Sequence, residues 1–223
     1  MLRATCFMCC QRFFKYNLLK VKIQRSEKNL KEPIRVGFDM DGVILYNPFR
    51  IMRPIVSFVK RYLLKRKTTK FYLPKSRFEM FIWLLLHKSS MFPAPGFTDL
   101  KQLIRQKKIK AYIVTSRYST LKSDVEYWFK KLNGDSIFEG CYYNEGDIQP
   151  HLHKETMIKK LNLDYFVEDN WNIVQHVNDN LHKNNLKTKV LWISNIIDYR
   201  IPYEHKFSSL KKVVEFLKHE FEK

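Results

Sequence analysis

Ile34-Arg35-Val36-Gly37-Phe38-Asp39-Met40-Asp41-Gly42-Val43-Ile44 is an apolar run that breaks into two carboxylates and a glycine, then turns apolar again. Its first five residues stand between Pro33 and Asp39 and are rich in β-branched and aromatic types. The pattern predicts a buried strand over 34–38 that ends in a polar loop. Asp39 and Asp41 sit one residue apart at that end. Two carboxylates so placed can take different roles, Asp39 facing a substrate as nucleophile and Asp41 leaning over the loop as acid and base. Gly42 permits the sharp turn this requires. Alone, Asp-x-Asp-Gly is also an ordinary turn composition, so its meaning rests on what the rest of the chain sets beside it.

Downstream, Pro93-Ala94-Pro95-Gly96 breaks the chain, and strands and helices then alternate. Thr98 is read as the cap of a helix through Leu100, Leu103 and Ile104. A strand over 111–114 ends at Thr115-Ser116-Arg117, and a helix follows through Val125, Trp128, Phe129 and Leu132. Next come a strand near 138–143, a helix over 154–161 and a strand over 165–167 that ends at Glu168-Asp169. A helix through Ile173, Val174 and Val177, a strand over 190–193 and a helix through Leu210, Val213, Val214 and Leu217 complete the series. Such alternation predicts an α/β fold with a mainly parallel, doubly wound sheet. In such sheets the site lies beyond the carboxyl ends of the strands.

Three of those strand ends carry groups suited to one chemistry. Asp39 and Asp41 form the first. Thr115 offers a hydroxyl to a phosphoryl oxygen, with Ser116 beside it. Glu168 and Asp169 form a carboxylate pair suited to a hard divalent cation. Lys154, read at the start of its helix, supplies a point positive charge for a phosphoryl group. Each has a plainer meaning alone: Thr115-Ser116 as a helix cap, Glu168-Asp169-Asn170 as the start of the next helix, Lys154 as a solvated surface residue. Their order and their common position at element ends favour the joint reading.

With those residues in that order, the sequence resembles the haloacid dehalogenase (HAD) superfamily. Residues 37–44 match its first motif, Ile113-Val114-Thr115-Ser116 its second, Lys154 its third-motif lysine, and Val167-Glu168-Asp169-Asn170 its fourth. The resemblance covers residue 34 to the C-terminus. It implies a HAD-like, Rossmann-like fold and a phosphatase, since members with Asp-x-Asp are phosphatases and phosphotransferases while dehalogenases lack the second Asp. It also implies Mg²⁺ held by the Asp39 carboxylate, the Asp41 backbone carbonyl and Asp169, with Glu168 behind them or bound through water. Arg117 either reaches the substrate or stabilises its loop.

The chain from Asp39 to Thr115 is too long for a bare loop. Asn47-Pro48 reads as a helix start, Ile51, Ile55, Phe58, Val59, Tyr62 and Leu63 recur at helical spacing, and a second apolar helix is expected over 78–87. The segment 47–95 resembles the small helical cap that HAD enzymes insert after the first motif. The layout is similar to that of 5′(3′)-deoxyribonucleotidase-like members. The expected organisation is therefore a basic segment 1–32, a core from 33–46 and 96–223, and the cap between. The expected substrate is a small phosphorylated metabolite or nucleotide. The alternatives are a nucleic-acid end phosphatase and a non-catalytic binding protein on the same core.

Composition bounds these readings. The 223 residues suit one α/β domain, and 45% hydrophobic with 28% charged residues is ordinary for a globular chain. The net charge of +19 is not ordinary, and it admits a nucleic-acid partner, an anionic surface or anionic substrates. Lys60, Arg61, Lys65, Arg66, Lys67 and Lys70 beside Phe71 and Tyr72 could bind single strands. A solvated basic helix end explains them more simply, and the charge is spread along the whole chain. Cys6, Cys9, Cys10 and Cys141 offer neither a disulfide framework nor a zinc site, so a reduced, cytoplasmic setting is expected. Before Glu27 there are no acidic residues but Arg3, Arg12, Lys15, Lys20, Lys22 and Arg25, a balance that also suits organelle targeting or membrane association. No run approaches the ~20 apolar residues of a membrane span. His151 and His153 flank Lys154 and are read as surface or loop residues.

Overall fold

The structure, a computed structural model, describes residues 32–46, 92–195, 198 and 200–223. The chain divides into two units, Met1–Glu32 and Pro33–Lys223, and the second is described here. The basic segment with Cys6, Cys9 and Cys10, both expected helices of the 47–95 insert and the basic–aromatic cluster of 60–72 lie outside the described residues.

Numbered in chain order, the described elements are β1 (Ile34–Phe38), β2 (Leu45–Tyr46), β3 (Phe92–Pro93), α1 (Phe97–Arg105), β4 (Ile109–Tyr118), α2 (Lys122–Lys131) and α3 (Gly134–Ile137). They continue with β5 (Gly140–Asn144), α4 (Pro150–Lys160), β6 (Tyr165–Glu168), α5 (Trp171–Lys183), β7 (Lys189–Ile193), β8 (Lys206–Phe207) and α6 (Leu210–Glu222). Six strands form one sheet in the order β5-β4-β1-β6-β7-β8, and every adjacent pair is parallel. The chain builds outward from β1 through β4 to β5, then returns to the other side of β1 with β6. The switch point therefore falls between β1 and β6, where an open α/β sheet leaves a crevice beyond its strand ends.

Alternation along the strands sorts their side chains into two layers. Val36 and Phe38 of β1, Ala111 and Ile113 of β4, Val167 of β6 and Leu191 of β7 pack with the apolar faces of α1, α2 and α6. Tyr112 and Val114, Phe166, and Val190 and Trp192 point the other way, against Ile158 of α4 and Ile173, Val174, Val177 and Leu181 of α5. The near-continuous apolar runs of β1, β4, β6 and β7 follow from burial on both faces. No helix of the described residues is long and apolar enough to cross a membrane.

Several boundaries differ from the sequence expectation. Gly96, not Thr98, precedes α1, with φ of 97°. A Cβ there would also lie 2.5 Å from the Lys211 backbone nitrogen, so glycine is required on both counts. The strand expected near 138–143 begins at Gly140, because the short helix α3 occupies Gly134–Ile137. The helix holding Lys154 starts four residues earlier, with Pro150 in its first turn, a position that suits a residue lacking an N–H. Lys154 is thus in the second turn and not at the helix start. β8 is too short to show a period. The pairing of Leu45 with Pro93 and Tyr46 with Phe92 joins positions far apart in sequence, and it brings the two ends of the intervening segment side by side.

Candidate active site

Asp39 is the first residue past β1, and its N–H donates to Val167 O at 2.9 Å, tying it to β6. The chain then folds back on itself. Leu45 N–H donates to Met40 O and Gly42 N–H to Leu45 O, both at 2.8 Å. Met40, Val43, Ile44 and Leu45 are fully buried and anchor this loop in the core. Gly42 has φ of 84°, and a Cβ on it would lie 2.2 Å from Asp169 Oδ2. The glycine therefore supplies both the left-handed backbone and the space in which the Asp169 carboxylate sits.

The two oxygens of Asp39 face different partners. Oδ1 accepts from Met40 N–H at 2.9 Å, and Oδ2 lies 3.1 Å from Lys154 Nζ. Lys154 reaches in from α4, 1% exposed, and also bonds Glu168. The other Glu168 oxygen accepts from the N–H groups of Asp169 and Asn170, at 3.1 and 2.9 Å. Both Glu168 oxygens are thus committed to holding the lysine and the loop. Trp192 of β7 donates its Nε1–H to Asp169 O at 3.2 Å, and Asn170, not Glu168 or Asp169, caps α5 by accepting from Asn172 N–H.

One carboxylate oxygen from each of Asp39, Glu168 and Asp169 can be chosen so that all lie within 4.8 Å of one another, and all three residues are buried. Burial drives the Asp39 pKa well up; Lys154 opposes that, and Glu168, Asp169 and Asp41 add to it. Burial likewise raises Glu168, against the pull of Lys154. For Lys154, burial works against the charge, but Asp39 and Glu168 outweigh it and hold the pKa above the usual lysine value. Three carboxylates meet in this buried space with one lysine beside them. An all-oxygen set of that kind, with the space beside Gly42 taken by a carboxylate, fits a hard divalent cation.

Asp41 and Arg117 form a second buried cluster. Arg117 Nε donates to Asp41 Oδ2 at 2.9 Å and Nη2 to Oδ1 at 2.8 Å, while Nη1 bonds Asp124 in the first turn of α2. Burial opposes the guanidinium charge, yet Asp41 and then Asp124 outweigh it and raise its pKa. The Arg117 side chain has no exposed surface. Of the two roles open in the sequence, the geometry follows loop stabilisation and not an open substrate contact.

Thr115 is 1% exposed and its Oγ1 accepts from Arg117 N–H at 3.3 Å, which leaves its own hydroxyl proton to donate. The Ser116 Oγ beside it is enclosed, with no hydrogen-bond partner among the described residues. His153 departs from the surface reading. It is buried next to Lys154, against the backbone of Tyr142 and Thr115, and burial followed by Lys154 lowers its pKa to about 4. His151 is half-buried on α4 with its ring 4.2 Å from that of His176. Asp124 is the residue that the sequence reading leaves out; its signal is an acidic residue in the first turn of the helix that follows the strand carrying Arg117.

No family model matches the chain, and no curated protein matches it. Solved structures do. One is a protein from Lactobacillus delbrueckii subsp. bulgaricus assigned as a phosphoglycolate phosphatase, at 16% identity and TM-score 0.51, covering 84% of this chain and 99% of its own. Another, from Bacteroides fragilis, is assigned as a haloacid dehalogenase-like hydrolase, at 12% identity and TM-score 0.51, covering 81% and 99%. A third, from Thermotoga maritima, is assigned as a β-phosphoglucomutase, at 13% identity and TM-score 0.50, covering 83% and 99%. Taken with the sheet order and the switch point between β1 and β6, these likenesses give the chain the fold of the haloacid dehalogenase superfamily.

Proposed function

We propose that this chain is a phosphomonoester hydrolase that works through an aspartyl-phosphate on Asp39. The observation that carries the reading is Asp39 itself: a buried carboxylate at the switch point, with one oxygen on a backbone N–H and the other beside Lys154. That arrangement suits a nucleophile aimed at an anionic phosphoryl group. Attack by Asp39 on phosphorus breaks the ester bond, and the departing oxygen takes a proton from Asp41. Asp41 then removes a proton from water, which attacks the aspartyl-phosphate, frees inorganic phosphate and restores Asp39. Thr115 and Lys154 would hold the phosphoryl oxygens, where charge gathers as the bond breaks. Asp39, Asp169 and the Asp41 backbone carbonyl would hold Mg²⁺, with Glu168 kept to Lys154. The cation, when bound, supplies positive charge that offsets the phosphoryl group and the nucleophile.

The substrate class that fits is a small phosphorylated metabolite, the kind of molecule named in the assignments of the Lactobacillus and Thermotoga proteins of the same fold. Nucleotides stay in the proposal through the Thr-Ser second motif at Thr115-Ser116. The test is a screen of purified protein against phosphorylated sugars, short phosphorylated acids, nucleotides and end-phosphorylated oligonucleotides, with Mg²⁺ and with EDTA. Hydrolysis of a small ester that stops in EDTA and returns with Mg²⁺ is expected. Full activity in chelator, or none with any ester, would refute the proposal.

A further inference from the structure

Arg117 links the two halves of the site in a way that a surface or loop arginine would not. Its backbone N–H donates to Thr115 Oγ1, and its guanidinium takes both oxygens of Asp41 with separate donors. The remaining arm is fixed by Asp124, which α2 carries in its first turn. A carboxylate held by one hydrogen bond can swing about that bond. One gripped at both oxygens by a planar fork cannot turn without breaking two charge-assisted bonds. The fork is in turn set from a strand on one side and a helix on the other, and the Arg117 side chain is entirely buried.

We infer that Arg117 is a positioning residue for the hydrolysis proposed above: with Asp124 as its anchor, it fixes the orientation from which Asp41 delivers and removes protons. The inference rests on the phosphatase reading and deepens it. Arg117 touches no reacting atom and acts through Asp41.

Asp41's help matters most when the departing oxygen is a poor leaving group, so loss of its position should depend on the substrate. A shift of about 1 Å in such a group costs on the order of 10²-fold. With Arg117→Met, kcat/KM for phenyl phosphate should fall by about that factor. For p-nitrophenyl phosphate, whose leaving group needs little acid, it should fall several-fold at most. KM should move little. The ratio of the two substrates therefore widens at least about tenfold, which a merely structural loss would not produce. Arg117→Lys keeps the charge but not the fork, and it should show the widened ratio too.

Equal losses on both esters, an unchanged ratio, or a wild-type ratio in Arg117→Lys would overturn the inference. Should the Arg117 variants fail to fold, Asp124→Asn decides: a smaller widening in the same direction supports it, and no change overturns it. Asp39→Asn runs alongside to separate the two ideas. Asp39-dependent turnover with a flat Arg117 ratio overturns the positioning role alone; wild-type protein without Asp39-dependent turnover overturns both.

Discussion

Replacing Gly42 with alanine tests how the loop after β1 and the loop after β6 share space. The residue adopts φ of 84°, and an L side chain in left-handed backbone costs about 1–2 kcal/mol. For a domain near 200 residues each kcal/mol lowers Tm by about 2–4 °C, so strain alone predicts a fall of roughly 2–8 °C. The second effect is local. The new methyl would lie 2.2 Å from Asp169 Oδ2 and 2.7 Å from its Cγ, well inside contact. Asp169 must turn away, because Trp192 holds its backbone carbonyl and the side chain is the softer part. Gly42→Ala should therefore weaken Mg²⁺ binding by at least about tenfold, from the loss of a charged oxygen ligand. Calorimetric titration of Mg²⁺ and thermal melts with and without the ion measure the two effects separately. A variant that melts with wild type and binds Mg²⁺ with wild-type affinity would refute the reasoning.

Lys154→Met removes the cation shared by Asp39 and Glu168 and leaves both buried without it. Breaking one side of a buried pair costs about 3–5 kcal/mol, so equilibrium denaturation should show a loss of that size, with turnover down by at least about 10²-fold. His153 gives a pH signature. Its pKa is lowered from 6.5 to about 4 by burial, so the folded state binds fewer protons than the unfolded chain between those values. Its contribution is fully present above pH 6.5 and is lost as pH falls towards 4, a total of roughly 3 kcal/mol. The raised pKa values of Asp39 and Glu168 act in the opposite sense. The difference between wild type and His153→Gln therefore isolates the histidine, and that difference should shrink steadily from pH 6.5 to 4.5. Mg²⁺ should raise Tm more at pH 8 than at pH 5, because acid protonates the carboxylates that bind it.

The parallel core was legible because β1, β4, β6 and β7 are buried on both faces and read as apolar runs, and because polar residues stand at or just past the carboxyl ends of β1, β4 and β6. Asp39, Thr115, Glu168 and Asp169 could be located for that reason. The two-residue strands could not, since β2, β3 and β8 carry no period and form only through partners remote in sequence. Lys154 stands out in the sequence, but its place in the second turn of α4 does not, because the helix begins at Pro150. His153 is the residue whose burial the sequence does not show. A polar residue near a chain turn reads as exposed, and only the packing of α4 against β4 and β5 shows His153 buried, while the choice between Arg117's two roles needs Asp124 beside it.

The central claim is that Asp39 carries the phosphoryl group between the two steps. Its most direct test is rapid acid quenching during turnover of p-nitrophenyl phosphate, followed by peptide mass mapping. The account predicts a phosphorylated peptide containing Asp39 that builds up further in Asp41→Asn, whose second step lacks its base, and that is absent in Asp39→Asn together with all turnover. Hydrolysis that continues in Asp39→Asn, or wild-type turnover with the phosphoryl group on another residue, would contradict it.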